Sequence, residues 1–213
     1  MGNEGAVIHA TGAVTTTPGA ISTSNYQATS TYRGKIMNYS YFAARLGLIA
    51  SSPATINNLS TPPNGPGDEF YYTNTSGVVN GLWHIKNGEK YVIFVNGDLK
   101  INTDIVVDPG GFLMFIVKGD INVSHTVNDV QGLYVADGNL NTETNATTDN
   151  PLTFEGSMVA WGAVNLGRNL KAFNITTPGE TFIYRPDLIL NMPNNVKTFA
   201  MQWREVVPGT FGN

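Results

Sequence analysis

The chain contains no cysteine, and that one absence removes disulfide staples, thiolate metal sites and cysteine nucleophiles together. Charge is also scarce. Asp, Glu, Lys and Arg make up 13% of the residues, about half the share of an ordinary globular domain. The 12 basic side chains form no run and are outnumbered by 16 acidic ones. That leaves no electrostatic footprint for nucleic acid or an anionic membrane, and no nucleic-acid partner is expected. No apolar run approaches the roughly 18–20 residues of a membrane span. Residues Met1–Glu4 do not read as a signal peptide, and Ala6 stands where a myristoylation signal needs Ser or Thr. Membrane attachment is therefore expected only through a segment absent from this chain.

Signatures of catalysis are equally thin. His9, His84 and His125 lack metal-ligand spacing. There is no G-x-S-x-G nucleophile elbow, and Gly110-Gly111 does not open a helix after a strand, as a phosphate cradle would. The expectation is no catalytic residue, no cofactor and no enzyme.

What the chain does have is 41% hydrophobic residues, enough to fold, among many Asn, Thr, Ser and Gly. It also has a repeat. Phe94-Val95-Asn96-Gly97-Asp98-Leu99-Lys100-Ile101 and Ile116-Val117-Lys118-Gly119-Asp120-Ile121-Asn122-Val123 align directly. Tyr134–Asn141 and Met158–Leu166 follow, each aligned with one extra residue before its glycine. Ile183–Leu190 puts Pro186 where glycine stood. The turn residues at 97, 119, 138, 162 and 186 are separated by 22, 19, 24 and 24 residues. Such intervals suit one coil of a parallel β-helix and are too short for a propeller blade.

Stacking the units places Val95, Val117, Val135, Val159 and Ile183 in one inward column. Leu99, Ile121, Leu140, Val164 and Leu188 make a second, and Ile101, Val123, Leu166 and Leu190 a third. Glycine is expected at each corner because it accepts positive φ. One rung cannot bury its inner face alone, so neighbouring rungs must supply both hydrogen bonds and apolar contact. A sandwich or jelly roll would also alternate, but the near-constant interval favours the solenoid.

Outlying matches occur at Val7–Val14, read as a first rung, and at Val78-Val79-Asn80-Gly81-Leu82-Trp83. Asn38 can cap a short helix with Phe42, Leu46 and Ile49 on one face, suited to covering an end or flank of the solenoid. Ser51–Gly67 reads as loop, and Phe199–Pro208 as a closing strand. The expected fold class is all-β, a single-stranded parallel β-helix with a short α-helical excursion near residues 38–47. Residues 1–213 read as one domain: 1–76 hold the N-terminal rung, capping helix and loops, and 77–208 the regular rungs and closing strand.

Asp98 and Asp120 fall at equivalent corners and are the candidate calcium ligands or acid/base pair. Against this, Gly-Asp is ordinary corner chemistry, and Asn139 and Ala163 break the carboxylate column. Arg185, Asp187, Arg204 and Glu205 read as ion pairs closing the last coils. Tyr71, Tyr72, Trp83 and Trp161 are the candidate sugar-stacking residues, because flat apolar rings match pyranose faces. The N-x-S/T triplets at Asn38, Asn58, Asn74, Asn122, Asn145 and Asn174 reflect Asn- and Thr-rich turns, with an Asn or Thr ladder expected along an outer face.

Four stretches carry a resemblance. They are Tyr91–Leu99, Gly111–Ile121, Phe182–Leu188 and the closing Trp203-Arg204-Glu205-Val206-Val207-Pro208. Together they resemble a group of largely uncharacterised exported bacterial surface proteins with a C-terminal right-handed parallel β-helix. The likeness covers roughly 77–208 well, and Ala6–Val14 and Tyr41-Phe42 weakly. More distantly, the rungs are similar to bactofilin-type and pectate-lyase-like solenoids. The resemblance implies an extracellular or cell-surface location and a structural or adhesive role, with self-association into a homo-oligomer or polymer, or binding to external surfaces. The alternative is a carbohydrate-binding or polysaccharide-cleaving β-helix with a surface glycan as partner.

Overall fold

The computed structural model describes residues 14–16, 36–46, 54–56, 58–63, 67–145 and 147–197, with backbone alone for 14–16 and 67–69. In chain order the elements are β1 (Val14–Thr16), α1 (Tyr39–Arg45), β2 (Ala54–Thr55), β3 (Gly67–Thr73), β4 (Gly77–Val79), β5 (Trp83–Ile85), β6 (Glu89–Val95) and β7 (Leu99–Ile101). Then come β8 (Ile105–Val107), β9 (Phe112–Val117), β10 (Ile121–Val123), β11 (Asp129–Ala136), β12 (Leu140–Thr142), β13 (Leu152–Ala160) and β14 (Val164–Leu166). The described chain ends with a 3-10 turn at Lys171–Ile175, β15 (Glu180–Ile183), α2 (Pro186–Asn191) and α3 (Asn194–Lys197).

The strands wind into a parallel β-helix, with Val95 directly beside Val117 and Leu99 beside Ile121. One sheet runs β15-β13-β11-β9-β6-β3-β2 and another β1-β14-β12-β10-β7-β4. A third side, which the repeat did not reveal, is formed by β5, β8 and the start of β11, where Trp83 pairs with Ile105 and Ile105 with Val130. Each rung therefore has three sides, and β11 and β13 each run from the third side into the first sheet as one strand.

The two principal sheets differ in composition because they differ in what covers them. Every residue of β9 is buried, as expected of a parallel sheet covered on both faces, whose strands read as continuous apolar runs. β7 and β10 keep only their first and last residues buried and turn the middle one outward. Inside the coil, ring contacts link Trp83, Phe115, Tyr134, Phe154 and Phe182 in sequence, with centroids 5.4, 5.7, 5.4 and 6.0 Å apart. Each such side chain removed from water contributes roughly 1.5–3 kcal/mol. Burial pushes the Tyr134 phenol well above its ordinary range.

α1 forms as its sequence suggests: the Asn38 side chain accepts the Tyr41 amide at the helix start, and Phe42 is buried. It covers a flank rather than an end. Tyr39 meets Phe94 edge-on at 5.7 Å, on the outward face of the first sheet.

The corner glycines correct the expectation about φ. Gly97, Gly119, Gly138 and Gly162 stack, with the amides of Gly119, Gly138 and Gly162 each donating to the carbonyl of the glycine one rung before. None of the four has positive φ; that conformation occurs instead at Gly88, Gly110, Gly132 and Gly156, at the opposite corner between the third side and the first sheet. The stacked glycines are required for space. A Cβ on Gly119 would lie 2.0 Å from Asp98 Oδ1, and one on Gly138 would lie 2.1 Å from Asp120 Oδ1.

Several register expectations also change. No residue is inserted before Gly138, so Val117 pairs with Ala136, and Ala136 with Ala160. Val135 and Val159 instead continue the outward column from Ile116. Thr142 fills the gap between Val123 and Leu166. Ile183 pairs with Glu155 rather than stacking on Val159.

Leu188 and Leu190 lie in α2, not in a strand, because Pro186 lacks an amide hydrogen and suits the first helical turn. Leu188 is still buried, but Leu190 is 73% exposed. The Val78–Trp83 match is displaced from the proposed alignment, since Val79 pairs with Ile101. β2 and the buried Leu59 interrupt the expected loop at Ser51–Gly67. Val14–Thr16 pairs with Val164–Leu166, beyond the fourth corner and far from the first rung. Residues 7–13, Ile49, Arg204, Glu205 and the Phe199–Pro208 stretch lie outside the described residues.

Candidate functional site

The acidic corner forms a continuous side-chain-to-backbone ladder. Ser76 Oγ accepts the Asp98 amide at 3.0 Å, and Asp98 Oδ1 accepts the Asp120 amide at 2.9 Å. Asp120 Oδ1 accepts the Asn139 amide at 2.7 Å, and Asn139 Oδ1 accepts the Ala163 amide at 2.8 Å. Asn139, which breaks the carboxylate column, continues the ladder because an amide oxygen accepts as a carboxylate oxygen does. One oxygen each of Asp98 and Asp120 is thus committed to the next rung. Among the described residues no group of three or more His, Asp or Glu is placed to hold a metal ion.

The four candidate sugar-stacking residues do not converge. Trp83 is fully buried inside the coil and donates its indole N–H to the Leu59 carbonyl at 2.8 Å. Tyr71 and Tyr72 are consecutive on β3 and so point to opposite faces. Tyr71 meets the buried Tyr91 edge-on at 6.0 Å, whereas Tyr72 pairs beside Phe94 and donates its hydroxyl to Asn74 Oδ1. Trp161, half-buried at the fourth corner, donates its indole N–H to the Met37 carbonyl at 3.1 Å. Two of these rings serve the core, and Trp161 holds the segment that leads into α1.

The third corner, one rung earlier, carries the rest of that docking. Asp137 Oδ1 accepts the Tyr39 amide at 2.6 Å. Burial raises the Asp137 carboxyl, against the opposing pull of this bond and of Lys118. Burial, with Tyr72 and Asp137 nearby, pushes the Tyr39 phenol up to about 12.

Arg185 and Asp187 come together as expected. Arg185 Nε and Nη2 lie 2.8 and 2.7 Å from the two Asp187 oxygens, a bidentate pair. Arg185 also reaches Glu155 at 3.1 Å and the Val107 carbonyl at 3.3 Å, fastening the start of α2 across the bend into the first sheet. The hydrogen bond from Arg185 holds the Asp187 carboxyl below its usual range.

A second cluster gave no signal in the sequence. Arg168 is 3% exposed and reaches the carbonyls of Asn150 and Ser124 on earlier turns, while its amide donates to Glu180 Oε1. Burial lowers its guanidinium, opposed by Glu180, Asp149 and Glu143. Burial also works to raise Asp149, but hydrogen bonds from Thr144 and from the Asn169 and Asn145 amides outweigh it, and the carboxyl is lowered. This cluster ties three turns together on the side after the second sheet. An arginine between Gly167 and Asn169 carries no motif; only the stacking reveals its partners.

The outward face of the second sheet is the one repetitive surface among these features. Lys100, Asn122, Asn141 and Asn165 stand in register, one per rung. Asn141 Nδ2 donates to Asn122 Oδ1 at 2.8 Å, and Asn165 Nδ2 to Asn141 Oδ1 at 2.7 Å. Lys100 pairs with Glu143 at 3.3 Å beside this row. The expected Asn ladder is therefore present, on a strand face with side chains held by their neighbours.

Comparison of the chain with protein-family models, with curated proteins and with solved structures finds no match. No helix among the described residues is long and apolar enough to cross a membrane.

Proposed function

We propose that the chain is an exported structural or adhesive module acting at the cell surface, through self-association or through binding to external surfaces. The observation that carries this reading is the amide ladder Asn122-Asn141-Asn165 on the second sheet. Its side chains are held in place before any contact forms, so binding a repetitive partner costs little ordering entropy. The acidic residues also favour it, since Asp98 and Asp120 are occupied in stacking the rungs. The resemblance to exported bacterial surface proteins points the same way. The carbohydrate alternative has less support, because Trp83 is enclosed and Tyr71 and Tyr72 face apart.

Light scattering combined with negative-stain microscopy tests the self-association arm, and pull-downs on cell-surface material test the other. Oligomers, rings or filaments, or a retained surface partner, are expected. A strict monomer that captures nothing would remove the proposal.

A further inference from the structure

Between the first sheet and the stacked glycines, one residue per rung stands in register: Asn96, Lys118, Asp137 and Trp161, the amides of the last three each bonding to the carbonyl that precedes the residue one rung before. Two of the four meet side chain to side chain. Lys118 Nζ donates to Asn96 Oδ1 at 3.1 Å, across 22 residues of chain. The far end of the same carboxamide is held as well, because Asn96 Nδ2 donates to the Tyr72 hydroxyl at 3.2 Å on the preceding rung. An amine nitrogen thus rests against a fixed amide, with a phenolic hydroxyl at the nitrogen that would leave. Among the described residues Lys118 forms no ion pair, although Asp137, one rung on, is close enough for its charge to act on that carboxyl.

We propose that Lys118 and Asn96 condense into an isopeptide bond that staples two successive rungs together. The Lys118 amine attacks Asn96 Cγ, the Nζ–Cγ bond forms, the Cγ–Nδ2 bond breaks, and Nδ2 leaves as ammonia. The proton shed by Nζ passes to Asp137 or to water, and the Tyr72 hydroxyl supplies one to the departing nitrogen and is itself replenished from water. An ammonium and a primary amide become a secondary amide and an ammonium ion, with no oxidant or reductant.

Two considerations make the step feasible. A hydrogen bond from Nζ to Oδ1 places Nζ roughly 3.3–4.3 Å from Cγ, close to the about 3–3.5 Å of a near-attack arrangement. Lysine is a weak nucleophile until it loses its proton, but groups held together in one molecule react as if at about 10⁵–10⁸ M. One slow turnover in the lifetime of the chain is enough, because the ammonia is lost. The bond would close a loop of one rung in a chain that has no cysteine with which to do so. It lies in the column whose next members, Asp137 and Trp161, hold the segment leading into α1. The staple does not depend on self-association or on any external partner.

The test is to incubate the folded full-length chain at neutral and mildly alkaline pH, then digest it with trypsin. Trypsin does not cut after an acylated lysine, so the expected product is a branched peptide joining Tyr91–Lys100 to Ile101–Arg168, lighter than their sum by one ammonia, about 17 Da. It should be absent from Lys118→Arg and should form about ten-fold or more slowly in Tyr72→Phe. Intact mass alone does not decide, because Asn96-Gly97 can also lose ammonia by closing on the Gly97 amide nitrogen. A loss that persists in Lys118→Arg, with no branched peptide in the parent, overturns the staple. An unchanged mass in a parent chain that circular dichroism shows to be folded overturns it too. Formation at the parental rate in Tyr72→Phe overturns the part given to the Tyr72 hydroxyl.

Discussion

Gly119→Ala tests why glycine occupies the stacked corner. The new Cβ would lie 2.0 Å from Asp98 Oδ1 and 3.0 Å from the Gly97 carbonyl oxygen. Asp98 is exposed and can swing aside, but it then releases the Asp120 amide it accepts at 2.9 Å. Overpacking costs about 1–3 kcal/mol and the lost hydrogen bond about 1 kcal/mol, offset by about 0.4–1 kcal/mol from the stiffer unfolded chain. The net destabilisation expected is about 1–3 kcal/mol, read as a lower urea midpoint with circular dichroism and tryptophan fluorescence as probes.

Asp98→Ala alone should cost about 1 kcal/mol. In the Gly119→Ala background it removes the atom that the methyl strikes, so the double variant should be more stable than the sum of the singles by about 1 kcal/mol or more. Strict additivity would refute the argument. A glycine needed for its φ would remain penalised whatever happened to Asp98.

Gly88 supplies the converse case, with φ of +85° and nothing within 4 Å of a Cβ. Gly88→Ala should cost about 1 kcal/mol from backbone strain alone, and Gly88→Asn less, by the same urea titration. Val117→Asp, at a fully buried inward position, should abolish cooperative unfolding or cost several kcal/mol, about 3 or more, by leaving an unpaired charge in the core; a native-like melting curve would contradict the register. Trp83→Ala should cost about 3–5 kcal/mol, whereas a stacking residue on the surface would lose sugar binding and leave stability intact. Asp187, held low by Arg185, contributes stability that is present above the ordinary carboxylate pKa of about 3.9 and lost as pH falls through its own lower value. Asp187→Asn should therefore be destabilised by about 1 kcal/mol at neutral pH, allowing for its partial exposure, and the difference should vanish in strong acid. Asp137 has the opposite sign, because burial raises its carboxyl and ionisation opposes folding. Asp137→Asn keeps an acceptor for the Tyr39 amide and should match or exceed the parent at neutral pH, the gap closing as pH falls through the raised carboxyl value.

The solenoid was legible because its core repeats. Like residues must stack on like when one rung buries the next, so Val95 with Val117 and Leu99 with Ile121 could be paired from spacing alone. The Asn38 cap and the Asn ladder were legible for similar reasons, each depending on residues near in sequence or at the repeat interval. The third side was not, because Trp83–Ile85 and Ile105–Val107 alternate over only three residues, and the glycines at 88, 110, 132 and 156 that mark its corner fall between elements in two rungs and inside a strand in the other two. Of the candidate residues, Asp98 and Asp120 were correctly placed at equivalent corners, but their use by the next rung's amides depends on side-chain direction. Trp83 gave no sign of being enclosed, since an aromatic beside a strand reads the same whether it faces inward or out.

What the sequence by itself determined is a period: about one rung of chain per repeat, with an aliphatic interior and polar outward positions. Tertiary structure alone decided what closes that periodic body. Pro186 diverts the chain into α2, Arg168 gathers carbonyls from two earlier turns, α1 covers an apolar sheet face, and β1 returns to the far edge of the second sheet. The physical reason is that a repeat specifies its interior by local patterning, each rung meeting a copy of itself. Its ends and flanks meet unlike segments, whose partners are chosen by shape, burial and unpaired backbone rather than by any spacing along the chain.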